Sequence, residues 1–179
     1  TGCNDDEKRH GLNRYVGKSI VWFDTSANKK KSQKRTKGGS YINEEEKRII
    51  LEILDDLKST GELKGLDIGI ITGYSGQKEL LRKSIKATGL DKIASKIDIN
   101  TLDAFQGREN DIIIYSTVRT RDSIGFQKEK ERVNVAFSRA KKLLIVCGDK
   151  NFFYNFDDQD NKFVEIIDYI SEEEECEII

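Results

Sequence analysis

Short apolar runs without polar alternation set the strongest limit on how this chain can fold. Asp67–Thr72 (DIGIIT), residues 111–118 (DIIIYSTV) and residues 143–148 (LLIVCG) are rich in Ile and Val and are bounded by polar turns. Runs of that length and composition suit strands buried on both faces, as in a parallel sheet covered by helices on each side. Residues 97–101 (IDINT) add another strand, and residues 19–24 (SIVWFD) an earlier one. Helical stretches interleave with them, which is the pattern of an α/β fold. Ligands of such sheets bind beyond the carboxyl ends of the strands. Residues 72–77, residues 101–111 and the loop after Val118 are therefore the places to look.

Residues 43–59 form the clearest helix. Asn43 suits the N-cap, Glu44 to Glu46 face the positive end of the dipole, and Glu46 holds the capping-box position. Ile50, Ile53, Leu54 and Leu57 recur at helical spacing, and Gly61 stops the helix. A second helix over 76–87 is expected to be capped by Ser75, with Leu80, Leu81 and Ile85 inward and Gly89 as the stop. A third, over 129–142, carries Val133, Ala136, Phe137 and Ala140 on one face. Residues 161–170 are helical, and residues 171–179 form an acidic tail containing Glu172 to Glu175. Residues 25–40 include Lys29, Lys30, Lys31, Lys34, Arg35 and Lys37, no acidic residue, and Gly38-Gly39 at the end. They read as a flexible basic loop, either a solvated linker or a nucleic-acid contact.

Charge and composition exclude several classes. Lys and Arg total 31 against 32 Asp and Glu, so a histone-like basic protein is excluded but a local basic site is not. Cys3, Cys147 and Cys176 are odd in number and far apart, so neither a disulfide framework nor a metal site is expected. A lone histidine, His10, removes Ser-His-Asp chemistry. No apolar run approaches the roughly 18 residues of a membrane span, and no signal-peptide pattern opens the chain. Free cysteines suit a reducing interior. The expectation is an intracellular, cytoplasmic protein without a membrane partner. The absence of both Met and Pro reads as a fragment of something longer, or as a sequence from which residues are missing. Residues 1–179 are expected to form a single domain.

Residues 11–19 (GLNRYVGKS) imitate a phosphate-binding P-loop. Five residues separate the glycines where four are needed, and the segment runs into a strand instead of a helix. No strand ends in a paired Asp-Glu, so the chain lacks complete nucleoside-triphosphatase machinery. Three other segments carry chemistry. Residues 101–111 (TLDAFQGREND) are too polar for core. Gly107 permits a tight backbone there, and Gln106, Arg108, Glu109 and Asp111 crowd hydrogen-bonding groups together. A solvated loop with a local Arg108–Asp111 pair explains the segment equally well. Arg132 and Arg139 stand seven residues apart, on nearly one line of the predicted helix, flanking its apolar stripe. They can grip phosphate from a cleft, or lie as surface arginines over the sheet. Residues 70–78 (IITGYSGQK) give a strand, a two-glycine turn and a helix start suited to an anion, with Tyr74 able to stack on a base. Ordinary turn chemistry is the alternative.

Taken in order, IITGYSGQ, TLDAFQGREND with its strand and VRT, IGF, and ERVNVAFSRAKKLLIVCGD resemble motifs IV, V and VI of superfamily 1 helicases. The likeness is closest to the up-frameshift, senataxin and Dna2-like branch. It is strong over residues 67–149 and looser over 40–49 (SYINEEEKRI). It implies the second RecA-like domain of such an enzyme, a parallel sheet sandwiched by helices in the P-loop NTPase superfamily but without its own P-loop. ATP with Mg2+ would be bound mainly by the first, N-terminal RecA-like domain of the same polypeptide. That domain and single-stranded DNA or RNA are the implied partners. Arg139 matches the arginine finger that reaches the γ-phosphate, and Arg132 an arginine upstream of it. Gln77 matches the motif IV glutamine, and Glu109, with Gly107 beside it, the motif V acidic residue at the nucleotide. The family's second phosphate-sensing arginine is replaced by Lys78, with Arg82 one turn further on, so either can serve. Thr72 and Thr101 match positions that touch single-strand phosphates, with Tyr74 and Ser75 adjoining. Gly73 stands where the family usually has Pro.

The resemblance thus implies the C-terminal motor domain of an ATP-dependent helicase or translocase, inactive as an isolated fragment. The alternative is a degenerate module that binds nucleic acid or a protein without ATPase activity. The missing P-loop and the lack of clustered acids oppose a kinase or a response-regulator-like domain.

Overall fold

The computed structural model describes residues 12–28, 33–92, 96–105, 107–158 and 161–179. Its strands are β1 (Ile20–Asp24), β2 (Gln33–Arg35), β3 (Tyr41–Asn43), β4 (Asp67–Thr72), β5 (Lys96–Thr101), β6 (Asn110–Ser116), β7 (Ala140–Gly148) and β8 (Cys176–Ile178). Six of them make one parallel sheet in the order β5-β4-β6-β7-β1-β8, and β2 and β3 pair antiparallel apart from it. Helices α1 (Glu44–Ser59) and α2 (Ser75–Thr88) cover one face; α3 (Lys130–Phe137), α4 (Lys150–Tyr154) and α5 (Lys162–Glu172) cover the other. None of the described helices is long and apolar enough to cross a membrane.

The two-faced burial explains the Ile runs. Ile68, Ile70, Ile112 and Ile114 meet Ile50, Ile53, Leu54, Leu81 and Ile85, while Ile71, Ile113 and Tyr115 meet Val133, Phe153 and Phe163 on the far side. Each buried side chain of this size contributes about 1.5–3 kcal/mol. Asn43 caps α1 through its side chain, which accepts from the N–H groups of Glu45 and Glu46.

The structure corrects four sequence expectations. Within the supposed flexible loop, Gln33–Arg35 forms a strand, with Gln33 buried and its Oε1 accepting from Thr120 N at 2.9 Å; Lys29, Lys30 and Lys31 lie outside the described residues. The acidic tail ends as β8, which pairs with β1 at the sheet edge. Ser75 is the first residue of α2, not its cap, and Tyr74 in the cap position makes no side-chain cap bond. The third helix stops at Phe137, because Ala140 is already in register with Asn110 of β6. Parallel pairing with a central strand outcompetes the five further helical residues expected, 138–142, and Arg139 falls in the turn between the two.

Candidate nucleic-acid and nucleotide sites

Strand β4 leads through α2 to β5 on one side, whereas β6 leads through α3 to β7 on the other. The neighbouring carboxyl ends of β4 and β6 are therefore the point where the strand order turns, the usual ligand crevice of an open α/β sheet. A buried polar network fills the floor of that crevice. Its centre is Glu46, fully buried at 0% exposure. Its carboxyl group lies 2.5 Å from Ser116 Oγ and 3.2 Å from Thr117 Oγ1, and it accepts from Val118 N at 2.8 Å and from Asn43 Nδ2 at 3.0 Å. Burial pushes the Glu46 pKa up to about 8, against the opposing pull of the bonds from Ser116, Val118 and Thr117.

The network holds a strained exit from β6. Val118 has φ +69°, a conformation that costs a β-branched residue on the order of 1–3 kcal/mol. The Glu46 carboxyl group takes its N–H, and Asn43 Nδ2 donates to its carbonyl at 3.2 Å. Glu46 thus does not close a capping box, since the Asn43 N–H goes to Gln77 Oε1 at 2.8 Å. The signal available in the sequence was its spacing. Glu46 lies four residues before Ile50 and seven before Ile53, on the buried stripe of α1.

Gln77 is also fully buried, and its amide is engaged internally by Asn43 and Ser116 Oγ. It locks α2 to α1 and β6 and does not face a cleft. Thr72 is likewise fully buried, its hydroxyl turned to Tyr74 N at 3.4 Å. Arg119 follows Val118 at 4% exposure, with its guanidinium 4.1 Å from the centre of the Tyr41 ring.

Above this floor runs a groove of about 550 Å³, bordered by Gly38 to Tyr41, Gly73 to Ser75, Thr101, Asp103, Phe126 and Arg132. It gathers Thr101, Tyr74 and Ser75 with Arg132. Arg132 pairs with Glu129 at 2.8 Å and approaches Asp103 at 3.7 Å.

The remaining candidates lie elsewhere. Gly107 and Glu109 precede β6, and Arg139 precedes β7, so these three sit at the amino end of the sheet, where Asn110 N donates to Arg139 O at 3.1 Å. Glu109 is exposed and makes no ion pair among the described residues. Arg139 Nε is buried without a hydrogen-bond partner. Arg132 and Arg139, expected on one helix line, are at opposite ends of α3 and of the sheet. Lys78 and Arg82 stand on α2; Arg82 Nη2 donates to Ile99 O at 2.9 Å. The local Arg108–Asp111 pair does not form, since Arg108 meets Asp98 and Asp111 meets Lys142. Gln106 lies outside the described residues.

A family model described as an AAA domain matches residues 4–151, a span that includes the crevice, the groove and the amino edge. The chain belongs to that AAA domain family. Among similar relatives, DNA polymerase alpha-associated DNA helicase A of Saccharomyces cerevisiae is 36% identical over 138 residues, covering 73% of this chain and 19% of the relative. The helicase SEN1 of the same yeast is 39% identical over 125 residues, covering 66% and 6%. The regulator of nonsense transcripts 1 homolog of Drosophila melanogaster is 40% identical over 116 residues, covering 63% and 10%. The chain therefore spans about a fifth or less of these relatives. Together these likenesses make this AAA domain a RecA-like domain of the superfamily 1 helicases, in the up-frameshift and senataxin branch.

Proposed function

We propose that this AAA domain is the C-terminal motor domain of an ATP-dependent helicase or translocase acting on single-stranded DNA or RNA. The observation that carries the reading is the division of its candidate residues. Thr101, Ser75 and Tyr74 border one groove at the strand carboxyl ends, while Arg139, Glu109 and Gly107 stand together at the opposite edge. One surface suits a phosphate backbone and the other a nucleotide, as a motor that couples the two requires.

The amino edge fits a nucleotide phosphate. The Arg139 side chain is half-buried and makes no hydrogen bond or ion pair among the described residues, so an anion reaching its exposed part would displace no existing bond. ATP with Mg2+, bound mainly by an N-terminal RecA-like domain of the same polypeptide, would supply the phosphoanhydride to be cleaved. Arg139 would present its guanidinium to the γ-phosphate and stabilise charge as it develops. Glu109 and Gly107 would border the nucleotide, whereas Lys78 and Arg82, on α2 after β4 with Arg82 bonded to Ile99 O, stand away from this edge. Buried, unpaired Cys147 and Cys176 accord with an intracellular setting.

Two assays test this reading. The chain alone is expected to show no ATP turnover, while a polypeptide that also holds the N-terminal domain turns ATP over when single strands are added. Turnover of about 1 per second by the chain alone, near the ordinary enzyme range, would overturn the assignment. Single strands should bind the chain weakly, with a log-log salt slope of about −2 for two or three neutralised phosphates. Tight binding indifferent to salt would point to another kind of interface.

A further inference from the structure

Phe126 is an apolar ring that the fold holds in the open. It is 52% exposed, on the 3-10 turn Gly125–Lys128 that follows β6. That turn is pinned from both sides. Gln127 is buried; its Oε1 accepts from Tyr115 Oη at 2.7 Å, and its Nε2 donates to Thr117 O at 3.0 Å and Ile124 O at 3.2 Å. Ile124 is buried too, and Gly125 adopts φ +63° with Tyr74 Oη in the space a Cβ would need. With its neighbours fixed inward, the ring borders the groove. There it stands 5.9 Å from the Tyr74 ring centroid, and the Arg132 guanidinium lies 5.4 Å from its own.

The groove's charge and size indicate what meets that ring. Two carboxylates, Glu129 and Asp103, stand beside the single charge of Arg132 and disfavour an anion there, whereas a neutral flat group can cover the exposed part of the Phe126 ring. About 550 Å³ falls within the range of small-ligand sites, roughly 300–1,000 Å³, and leaves room for one nucleotide. We infer that Phe126 is a stacking platform for one nucleobase of a bound single strand, with Arg132 positioning the ring. The inference rests on the single-strand reading above and adds a base contact to the phosphate grip at Thr101 and Ser75. Because every base has a π-face, the contact is tolerant of sequence.

The test measures binding of this chain to a twelve-nucleotide oligothymidylate and to the same backbone carrying abasic sites. Phe126→Ala should weaken oligothymidylate binding by about 5- to 150-fold, the usual worth of one stacked base. It should leave the abasic affinity within about twofold and the salt slope unchanged. Phe126→Trp should keep the affinity, and its added fluorescence should fall with oligothymidylate but not with the abasic strand. The native Trp22 is fully buried and gives little competing response. If Phe126→Ala does not fold, the quenching of Phe126→Trp decides alone. Equal loss on both strands, no loss on either, or quenching by both would overturn the inference. A native chain that binds neither strand at low salt removes the single-strand reading as well. A native chain that binds, matched by Phe126→Ala, removes only the stacking role.

Discussion

The two ends of the sheet differ in how their polar groups are placed: a buried side-chain network at the carboxyl end, half-exposed ion pairs and exposed groups at the amino end. At the carboxyl end, Glu46, Gln77, Asn43 and Ser116 bond to one another and Gln127 to Tyr115 in a buried floor, while Tyr74 Oη, Arg119 Nε and Thr120 Oγ1 beside it are buried without partners. At the amino end, Asp111 pairs with Lys142 and accepts from Asp67 N, whereas Glu109 is exposed with no ion pair among the described residues and Arg139 Nε has no partner. A saturated network resists movement, because each broken bond leaves a buried polar group unpaired at about 1–3 kcal/mol. Groups without partners cost little to recruit. The bonded floor is thus a rigid base beneath the groove, and Glu109 at the other end is exposed and open to a partner.

The largest effect should come at Arg139. In a polypeptide with both domains, Arg139→Ala is expected to lower ATP turnover by about a thousandfold or more if the proposed arginine-finger role holds. Single-strand affinity should stay within about twofold. Arg139→Lys should recover little, since an ammonium lacks the planar fork. Turnover, strand binding and melting temperature measured on one sample decide the matter. A loss of strand affinity equal to the loss of turnover would erase the distinction between the two ends.

Next is Gly69, which joins them. The segment after β5 crosses back over the sheet with Phe105 above Gly69; an added Cβ there would stand 2.5 Å from Phe105 Cζ and 2.6 Å from Ile113 Cδ1. Gly69→Ala should destabilise the fold by about 1–3 kcal/mol, the ordinary penalty for overpacking. It should disturb Thr101 at one end and Glu109 at the other. Denaturant unfolding and strand binding measure both. A variant as stable as the native chain would show that the crossing is loose.

The fold was more legible than the site. Ile68 to Ile71 and Ile112 to Ile114 announce strands buried on both faces, and the parallel sheet follows. β8 was hidden because Cys176–Ile178 is three residues long and gains its pairing only from β1, far away in sequence. The end of α3 is hidden for the same kind of reason. Residues 138–142 keep helical spacing, but β6 offers Ala140 a ladder. Motif order names candidate residues for both surfaces, but sequence alone does not separate Arg132 from Arg139, because their distance depends on where the helix stops. Glu46 reads as a cap in the sequence because its local signal and its tertiary role occupy the same position.

Glu46 provides a test of how tightly the platform is locked. Its native pKa, about 8, lies above the ordinary carboxylate value of 4.5. Between those pH values the folded chain holds a proton that the unfolded chain has released, so stability falls as pH rises through this window. The contribution is fully present below about 4.5 and lost above about 8. Glu46→Gln keeps a neutral side chain at all pH values and should flatten that part of the profile. Melting temperatures from pH 5 to 9 for both proteins provide the comparison. Parallel profiles would mean that Glu46 is ionised in the fold and that its carboxylate is stabilised there.

The smallest effect, and the finest test of the division, belongs to Arg132. Its guanidinium is engaged by Glu129 and Asp103 and lies against the Phe126 ring. Little of its charge is left for a phosphate, so its part at the groove is to hold the ring in place. A partly exposed cation–π contact is worth about 0.5–1 kcal/mol, which corresponds to roughly a two- to fivefold loss of strand affinity in Arg132→Ala. The log-log salt slope should not change, because no phosphate contact is removed; losing one would reduce its magnitude by about 0.7. ATP turnover at saturating strand concentrations should stay near that of the native enzyme. These readings distinguish three roles for the residue. A smaller slope would make Arg132 a phosphate contact of the groove. A thousandfold loss of turnover would place it with Arg139 at the nucleotide, and the two ends would then share a catalytic arginine pair. An unchanged slope with a modest loss of affinity keeps the ends distinct and assigns Arg132 to the base-facing wall.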